Sequence, residues 1–130
     1  MFLDTSGLLA LMFEAEAQHE VAVAVFRQKG KRLTHSYVVA ELFALGQARK
    51  YPRAPVVAFV QDLLTHPTIT VIWVDEALTR EGMALLEARS DKSYSLCDAV
   101  TFVPMRQGGL REALTTDHHF EQEGFGRLLP

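Results

Sequence analysis

The amino-acid sequence predicts an α/β protein with a central parallel sheet of four to five strands. Short apolar segments of strand composition alternate with longer segments in which apolar residues recur at helical spacing. The candidate strands lie at residues 2–3, 33–34, 70–74, 113–115 and 126–129. Strands separated by helices pair in parallel through right-handed crossovers, so we expect their carboxyl ends to lie along one edge of the sheet.

The first eleven residues, MFLDTSGLLAL, combine a strand, a carboxylate and the start of a helix. Two apolar residues precede Asp4, and an apolar helical run begins at Leu8. Thr5 and Ser6 lie between them and are of the type that caps helix N-termini. Ligands of open parallel sheets bind beyond the carboxyl ends of the strands, which makes Asp4 a candidate functional residue. A simple loop or cap carboxylate explains this stretch equally well.

Helical periodicity predicts helices at residues 8–13, 19–28, 37–50, 55–65, 76–89 and 98–106. Ser36 and Asp75 precede two of them and suit N-cap positions. Gly108 and Gly109 end the last helix. Residues 29–32, with the sequence KGKR, are the most basic stretch of the chain. They are explained either as a helix C-terminus, where cations complement the dipole, or as a patch that contacts phosphate.

Composition and charge exclude several classes of protein. The chain has 130 residues, 48% of them apolar, which suffices for a single domain at 1–130. A net charge of −3 excludes nucleic-acid binding by bulk attraction, so such a partner needs a local basic patch or a metal. Cys97 is the only cysteine, which excludes an internal disulfide. Without a signal sequence or an apolar run of about 18 residues, we expect a soluble, cytoplasmic protein without membrane partners.

Three further acids occupy positions that suggest a common site with Asp4. Asp117 directly follows the fourth strand, as Asp4 follows the first. Asp98 falls in the first turn of a helix, where the positive end of the helix dipole stabilises a carboxylate. Glu41 lies at the margin of an apolar helical stripe, whereas a solvated glutamate prefers the opposite face. Each position also has an ordinary structural explanation as a cap, a loop residue or an edge residue.

Four acids that met at one edge of the sheet would need a cation, because like charges at close range repel one another. Carboxylates are hard oxygen ligands that suit Mg²⁺ or Mn²⁺. Such ions lower the pKa of a bound water and stabilise charge on a phosphate leaving group. The pattern therefore indicates metal-assisted hydrolysis of a phosphodiester, provided that the acids converge in the fold.

Four segments, taken in order, resemble the PIN domain of VapC-type toxin ribonucleases. They are FLDTSGLLAL at the start, AEL around Glu41, SLCDAVTF around Asp98 and LTTDHHF around Asp117. The resemblance covers the whole chain and implies a three-layer α/β/α sandwich. It also implies a Mg²⁺- or Mn²⁺-dependent endoribonuclease that forms homodimers, cleaves RNA and often pairs with a cognate antitoxin.

The resemblance assigns the catalytic and metal-binding roles to Asp4, Glu41, Asp98 and Asp117. By this assignment Asp4, Asp98 and Asp117 hold the metal, directly or through water. Glu41 positions a second ion or the attacking water.

Five neighbouring residues refine this assignment. The family often has hydroxyl residues beside its first acid and before its last, which Thr5, Ser6 and Thr116 match. Cys97 stands where relatives often have threonine, which alters a contact behind the site without removing a ligand. Asp91 matches a further acid of the family, and we interpret it as a residue that orders a loop or caps a helix.

The candidates for contacts to the RNA backbone are Lys29, Lys31, Arg32, Arg49 and Lys92. Each is also explained as a solvated surface charge.

Three other interpretations are weaker. His118 and His119 suggest a zinc site, but adjacent residues rarely face one ion, so we interpret them as exposed loop residues. Cys97 as a nucleophile needs a nearby base, and a buried thiol is the simpler explanation. A phospho-acceptor receiver needs an acidic pair after the first strand and a lysine after the last, which the sequence lacks. A catalytically inactive PIN-like module that binds RNA or protein is the alternative function.

Overall fold

The computed structural model describes residues 1–28 and 30–130. Within these residues, five parallel strands form one sheet: β1 (Phe2–Leu3), β2 (Arg32–His35), β3 (Ile69–Ile72), β4 (Glu112–Leu114) and β5 (Gly126–Arg127). Their order is β3-β2-β1-β4-β5, so β1 is central and β5 is an edge. All five predicted strands are therefore present, and the fifth is the edge strand that the sequence indicated.

Helices cover both faces of this sheet. In the described residues they are α1 (Thr5–Met12), α2 (His19–Phe26), α3 (Ser36–Ala48), α4 (Arg53–Thr65), α5 (Glu76–Ala88), α6 (Leu96–Gln107) and α7 (His119–Gln122). α1 packs against α2 and α3, and α5 packs mainly against α6. This arrangement confirms the α/β/α sandwich. α7 was not predicted, because four residues are too few to show helical periodicity. None of the described helices combines the length and the apolar character needed to cross a membrane.

The strand order creates a crevice at the centre of the sheet. The chain runs outward from β1 through β2 to β3 and then returns to the other side of β1 with β4. Open parallel sheets bind ligands at such a switch point, outside the carboxyl ends of the strands. Leu3 of β1 pairs with Leu114 of β4, so the residues that follow these two strands are neighbours.

The first helix begins earlier than predicted, because Asp4 itself occupies the N-cap position. Asp4 has an extended backbone (φ −89°, ψ 165°), and α1 follows at once with Thr5. The Asp4 side chain makes no capping hydrogen bond. The expectation that Thr5 or Ser6 caps α1 is therefore wrong, and their hydroxyl groups bond to other elements instead.

The third helix is also capped by a residue other than the predicted one. His35 is the N-cap of α3, and its Nδ1 accepts a hydrogen bond from the backbone N–H of Val38 at 3.2 Å. The predicted cap, Ser36, instead accepts a hydrogen bond from the N–H of Val74 at 2.9 Å and so ties α3 to the end of β3. Asp75 caps α5 as predicted.

His35 is fully buried and joins β2 to α6. Because its Nδ1 accepts from Val38, its Nε2 carries the proton and donates to Thr101 Oγ1 at 2.7 Å. Thr101 in turn donates to the carbonyl oxygen of Cys97 at 2.8 Å. Burial lowers the pKa of His35 to about 4, which keeps the ring neutral at pH 7. These bonds fix the first turn of α6, which carries Asp98.

Gly7 allows α1 to touch the backbone of β4. A Cβ atom added to Gly7 would lie 2.0 Å from the carbonyl oxygen of Leu114. Only a residue without a side chain can occupy this position, because the obstacle is backbone. The contact places the first turn of α1 beside the residues that follow β4.

We expect Gly7→Ala to lower the free energy of unfolding by about 3 kcal/mol, because α1 must move away from β4. Urea or thermal unfolding measures the loss. Gly46→Ala in α3 is the matched control, since its Cβ would lie at an ordinary 3.6 Å from Val56 Cγ2. Alanine there should be neutral or stabilise the helix by up to about 1 kcal/mol. Equal stability of the two variants would contradict the close contact.

Glu123 is a buried carboxylate that joins the ends of α5, α6 and α7. Arg89 Nε donates to its Oε1 at 2.8 Å, and Arg106 Nη1 donates to its Oε2 at 2.8 Å. The hydroxyl group of Tyr94 donates to Oε1 at 3.2 Å. Burial alone would raise the pKa of Glu123, but the hydrogen bonds from the two arginines outweigh it and lower this pKa overall.

We expect Glu123→Gln to cost about 1 to 2 kcal/mol of stability at pH 7, since both arginines are partly exposed and screened. The folded-state pKa of Glu123 lies below its reference value of 4.5, so the contribution is complete above that pH and is lost as the pH falls further. Urea unfolding at pH 7 and pH 3.5 should therefore show the gap between wild type and variant closing in acid. Glu76→Gln, at an exposed pair with Arg80, is the control and should change stability little at either pH.

Candidate metal centre

Four carboxylates from distant parts of the chain lie at the carboxyl edge of the sheet. Asp4 follows β1, and Asp117 lies in the loop that follows β4. Glu41 projects from α3, and Asp98 lies in the first turn of α6. The pairing of β1 with β4 makes Asp4 and Asp117 neighbours across the central crevice.

The hydroxyl group of Thr115 joins the two strand-end acids. Thr115 Oγ1 donates to Asp4 Oδ2 at 2.7 Å and accepts a hydrogen bond from the backbone N–H of Asp117 at 3.0 Å. Ser6 Oγ lies 3.2 Å from the same hydroxyl and accepts from the N–H of Thr116 at 3.0 Å. The resemblance pointed to Thr116 as the hydroxyl before the last acid, but the side chain that contacts Asp4 is that of the buried Thr115.

Glu41 is held at the opening of the site by the first turn of α1. Thr5 Oγ1 donates to Glu41 Oε1 at 2.7 Å. Cys97 is buried behind these acids, and burial, followed by the charges of Glu41 and Asp4, raises the pKa of its thiol far above the usual range. The thiol therefore stays protonated, which agrees with its interpretation as a small buried side chain.

Asp98 and Asp117 meet at a histidine. Asp98 forms a capping box with Ser95, in which each side chain accepts from the other residue's backbone N–H at 3.0 Å. His119 Nδ1 lies 3.0 Å from Asp98 Oδ2 and 3.4 Å from Asp117 Oδ2. The interpretation of both histidines as exposed loop residues holds for His118, whose side chain is 69% exposed. It is wrong for His119, which begins α7 with a side chain only 17% exposed.

The sequence contained one signal for the position of His119. Asp117 Oδ1 accepts a hydrogen bond from the backbone N–H of His119 at 2.9 Å, a turn that aspartate commonly forms with the residue two positions later. Phe120 follows and is fully buried, which anchors this short segment to the core. An aspartate, a turn and a buried aromatic residue together fix the ring of His119.

A cleft of about 470 Å³ opens over these acids. Its lining residues are Asp4, Thr5, Ser6, Glu41, Ala44, Leu45, Thr116 and Asp117. Burial, together with the smaller effect of the negative charges of Glu41 and Asp98, raises the pKa of Asp4 to about 7 against the hydrogen bond from Thr115. The site therefore concentrates negative charge that its own hydrogen bonds only partly offset.

The donor atoms fit a divalent cation. One atom each from Asp98, Asp117 and His119 lie within 4.8 Å of one another, and Asp4 lies on the other side of the Thr115 hydroxyl from Asp117. Carboxylate oxygens suit Mg²⁺ and Mn²⁺, and a cation would offset both the burial of Asp4 and the repulsion from the neighbouring acids, which together raise its pKa. The residues that could hold a metal are therefore the predicted aspartates, and His119 lies beside two of them, where the sequence analysis expected an exposed loop residue.

The described part of the basic stretch, residues 30–32, lies away from the acids. Arg32 is only 8% exposed, and its guanidinium group donates to two backbone carbonyls and a threonine hydroxyl. Arg32 begins β2 and Lys31 precedes it, so both lie at the amino ends of the strands, opposite the acids. The expectation that Arg32 contacts the RNA backbone is therefore wrong, because its guanidinium group is buried, whereas Lys31 is exposed and remains a candidate away from the acids. Lys29 lies outside the described residues.

The remaining polar candidates differ in position. Arg49, beyond the end of α3, forms an ion pair with Glu16. Asp91 is 73% exposed and pairs with Lys92 at 3.5 Å in the loop before α6. The same loop reaches the acids, because Ser93 Oγ lies 3.2 Å from the ring of His119. Lys92 is therefore the basic candidate whose own loop contacts the site.

The model of the PIN domain family matches residues 1–125, and the chain belongs to this family. The match confirms the resemblance seen in the four sequence segments, and it covers every strand up to β4 together with all four acids.

A sequence comparison and a structure comparison both match the chain to the same member of the family. The 23S rRNA-specific endonuclease VapC20 of Mycobacterium tuberculosis is 30% identical over 131 residues, which cover 100% of this chain and 98% of the relative. The crystal structure of VapC20, described as a toxin that cleaves the sarcin–ricin loop, matches with a TM-score of 0.88 and 28% identity. That match covers 99% of this chain and 98% of the other.

We expect Thr115→Val to lower the affinity of the site for Mn²⁺ about tenfold or more, because the groups that orient ligating carboxylates strongly affect metal binding. Isothermal titration calorimetry measures the affinity. Thr115→Ser keeps the hydroxyl and should retain most of it, while the exposed Thr116→Val serves as the control. An unchanged affinity in Thr115→Val would show that Asp4 does not depend on this bond.

Proposed function

We propose that this chain is a metal-dependent endoribonuclease and the toxin of a toxin–antitoxin pair. The observation that carries the proposal is the meeting of Asp4, Glu41, Asp98 and Asp117 at the switch point of the sheet. RNA as the substrate is supported by the relative VapC20, which is named an rRNA-specific endonuclease and described as cleaving the sarcin–ricin loop. A hairpin of ribosomal RNA is therefore the substrate class that we assign to this chain.

Asp4, Asp98 and Asp117 are the residues that we assign to hold Mg²⁺ or Mn²⁺, directly or through water. A divalent cation supplies water activation and stabilises the negative charge that develops at the scissile phosphate. Thr115 fixes the orientation of Asp4, and the capping box fixes Asp98. These bonds pre-organise the acids, so the carboxylates need little rearrangement during the reaction.

Glu41 is assigned to position the attacking water or a second ion. Its carboxylate lines the cleft, and the hydrogen bond from Thr5 to Oε1 holds it there. Lys92 is the basic side chain that we assign to the RNA backbone, since the loop that carries it contacts His119 through Ser93. The overall charge of −3 makes such local contacts necessary.

We also infer a homodimer, a cognate antitoxin and action in the cytoplasm by one domain spanning residues 1–130. The description of the structural relative as a toxin supports the antitoxin. The apolar side chains of Val57 and Leu64 on α4 are 37% and 42% exposed and lie seven positions apart, on one face of the helix. This face is suited to contact a second subunit.

We expect Asp4→Asn to reduce Mn²⁺-dependent cleavage of a sarcin–ricin hairpin about a thousandfold, because loss of a ligand removes several kcal/mol of transition-state stabilisation. Gel analysis of a labelled RNA over time measures the rate, and EDTA should abolish the wild-type activity. Asp62→Asn is the matched control and should cleave at close to the wild-type rate, since Asp62 is exposed on α4 and is not among the residues that line the cleft.

Two outcomes would contradict the proposal. Full cleavage by Asp4→Asn, or cleavage that resists EDTA, would remove the metal site from the mechanism. Wild-type protein that binds the hairpin and never cleaves it would favour the catalytically inactive RNA-binding module.

A further inference from the structure

His119 contacts two of the four acids, although the sequence analysis expected it to be an exposed loop residue. Its ring Nδ1 reaches Asp98 Oδ2 at 3.0 Å and Asp117 Oδ2 at 3.4 Å, and its backbone N–H donates to Asp117 Oδ1 at 2.9 Å. One residue thus contacts both oxygens of Asp117 and one oxygen of Asp98. These acids come from the end of β4 and from α6, which no strand pairing brings together.

Contacts with Ser93 and Tyr94 fix the orientation of the His119 ring. Ser93 Oγ lies 3.2 Å from Nε2, and the ring of Tyr94 packs edge-on against the imidazole at 5.4 Å between centroids. Tyr94 is in turn bonded to the buried carboxylate of Glu123. A neutral imidazole satisfies all these contacts when Nδ1 carries the proton and Nε2 accepts from Ser93.

We propose that His119 is a positioning residue that holds Asp98 and Asp117 at the spacing one divalent cation needs. Its Nδ1–H donates to Asp98 Oδ2 and lies 3.4 Å from Asp117 Oδ2, which leaves Asp98 Oδ1 to face a cation. Without the ring, the two carboxylates repel each other and separate. The inference rests on the proposed function, because it assigns to these acids the role of metal ligands.

The geometry favours a hydrogen-bonding role over direct coordination by His119. The distance of 3.0 Å from Nδ1 to Asp98 Oδ2 is that of an N–H···O bond. A ligating nitrogen would need its lone pair where this proton lies. The two roles predict different metal preferences, because an imidazole ligand favours Mn²⁺ over the harder Mg²⁺.

The test compares three substitutions by their metal affinity. The amide nitrogen of Asn can take the place of Nδ1, so His119→Asn should bind Mn²⁺ within about threefold of wild type. Neither His119→Ala nor His119→Gln keeps a donor at that place, and both should weaken Mn²⁺ binding about 10- to 100-fold. Electron paramagnetic resonance measures free Mn²⁺, and competition gives the Mg²⁺ affinity. His118→Asn, at the neighbouring exposed imidazole, is the control for a general effect of the substitution.

Kinetics separate positioning from chemistry. Saturating Mn²⁺ should restore most of kcat to His119→Ala and leave KM for the RNA unchanged. Unchanged Mn²⁺ affinity in His119→Ala, or equal loss in His119→Asn, would overturn the proposal. Weakened Mn²⁺ binding with unchanged Mg²⁺ binding would also overturn it, because direct coordination would then explain the effect. If wild-type protein binds Mn²⁺ and fails to cleave RNA, the proposed function fails while the affinity comparison still tests His119.

Discussion

The hydrogen bond from Thr115 to Asp4 joins two parts of the chain that are 111 residues apart, and the rest of the site depends on it. It forms only because β4 lies beside β1, an arrangement that the close contact of Gly7 with Leu114 reinforces. The same hydroxyl receives the N–H of Asp117, so one threonine sets the positions of both strand-end acids. Fold and site are therefore determined by the same contact between two central strands.

Two of the four acids, Asp4 and Glu41, are held by neutral hydroxyl donors. Hydroxyl groups bond to Asp4 and Glu41, and the ring of His119 contacts Asp98 and Asp117. An arginine in these places would cancel the negative charge and compete with a cation, whereas neutral donors fix the geometry and leave the charge in place. Burial is the main cause of the raised pKa of Asp4, the charges of Glu41 and Asp98 add to it, and a bound cation would lower this pKa.

Local sequence rules predicted the alternation of strands and helices, and they singled out the four acids to which the resemblance then assigned roles. The predicted caps of α1 and α3 were wrong, because the hydroxyl groups of Thr5, Ser6 and Ser36 bond to distant elements. Asp4 and Asp117 were predicted from their positions after apolar segments alone. Thr115 and His119 were not, since their roles arise from partners far away in sequence. Arg32 was misassigned for the same reason: a basic residue in a basic stretch gives no sign that its guanidinium group is buried against carbonyl groups.

The central place of β4 has a consequence for the synthesis of the protein. Thr115 leaves the ribosome 111 residues after Asp4, and until then β1 has no neighbour on that side. The emerging polypeptide therefore has only one side of the central crevice, and Asp4 has neither Thr115 nor Asp117 beside it. A polypeptide that still lacks β4 therefore also lacks the contact that brings Asp4 and Asp117 together, and with it the site proposed for RNA cleavage.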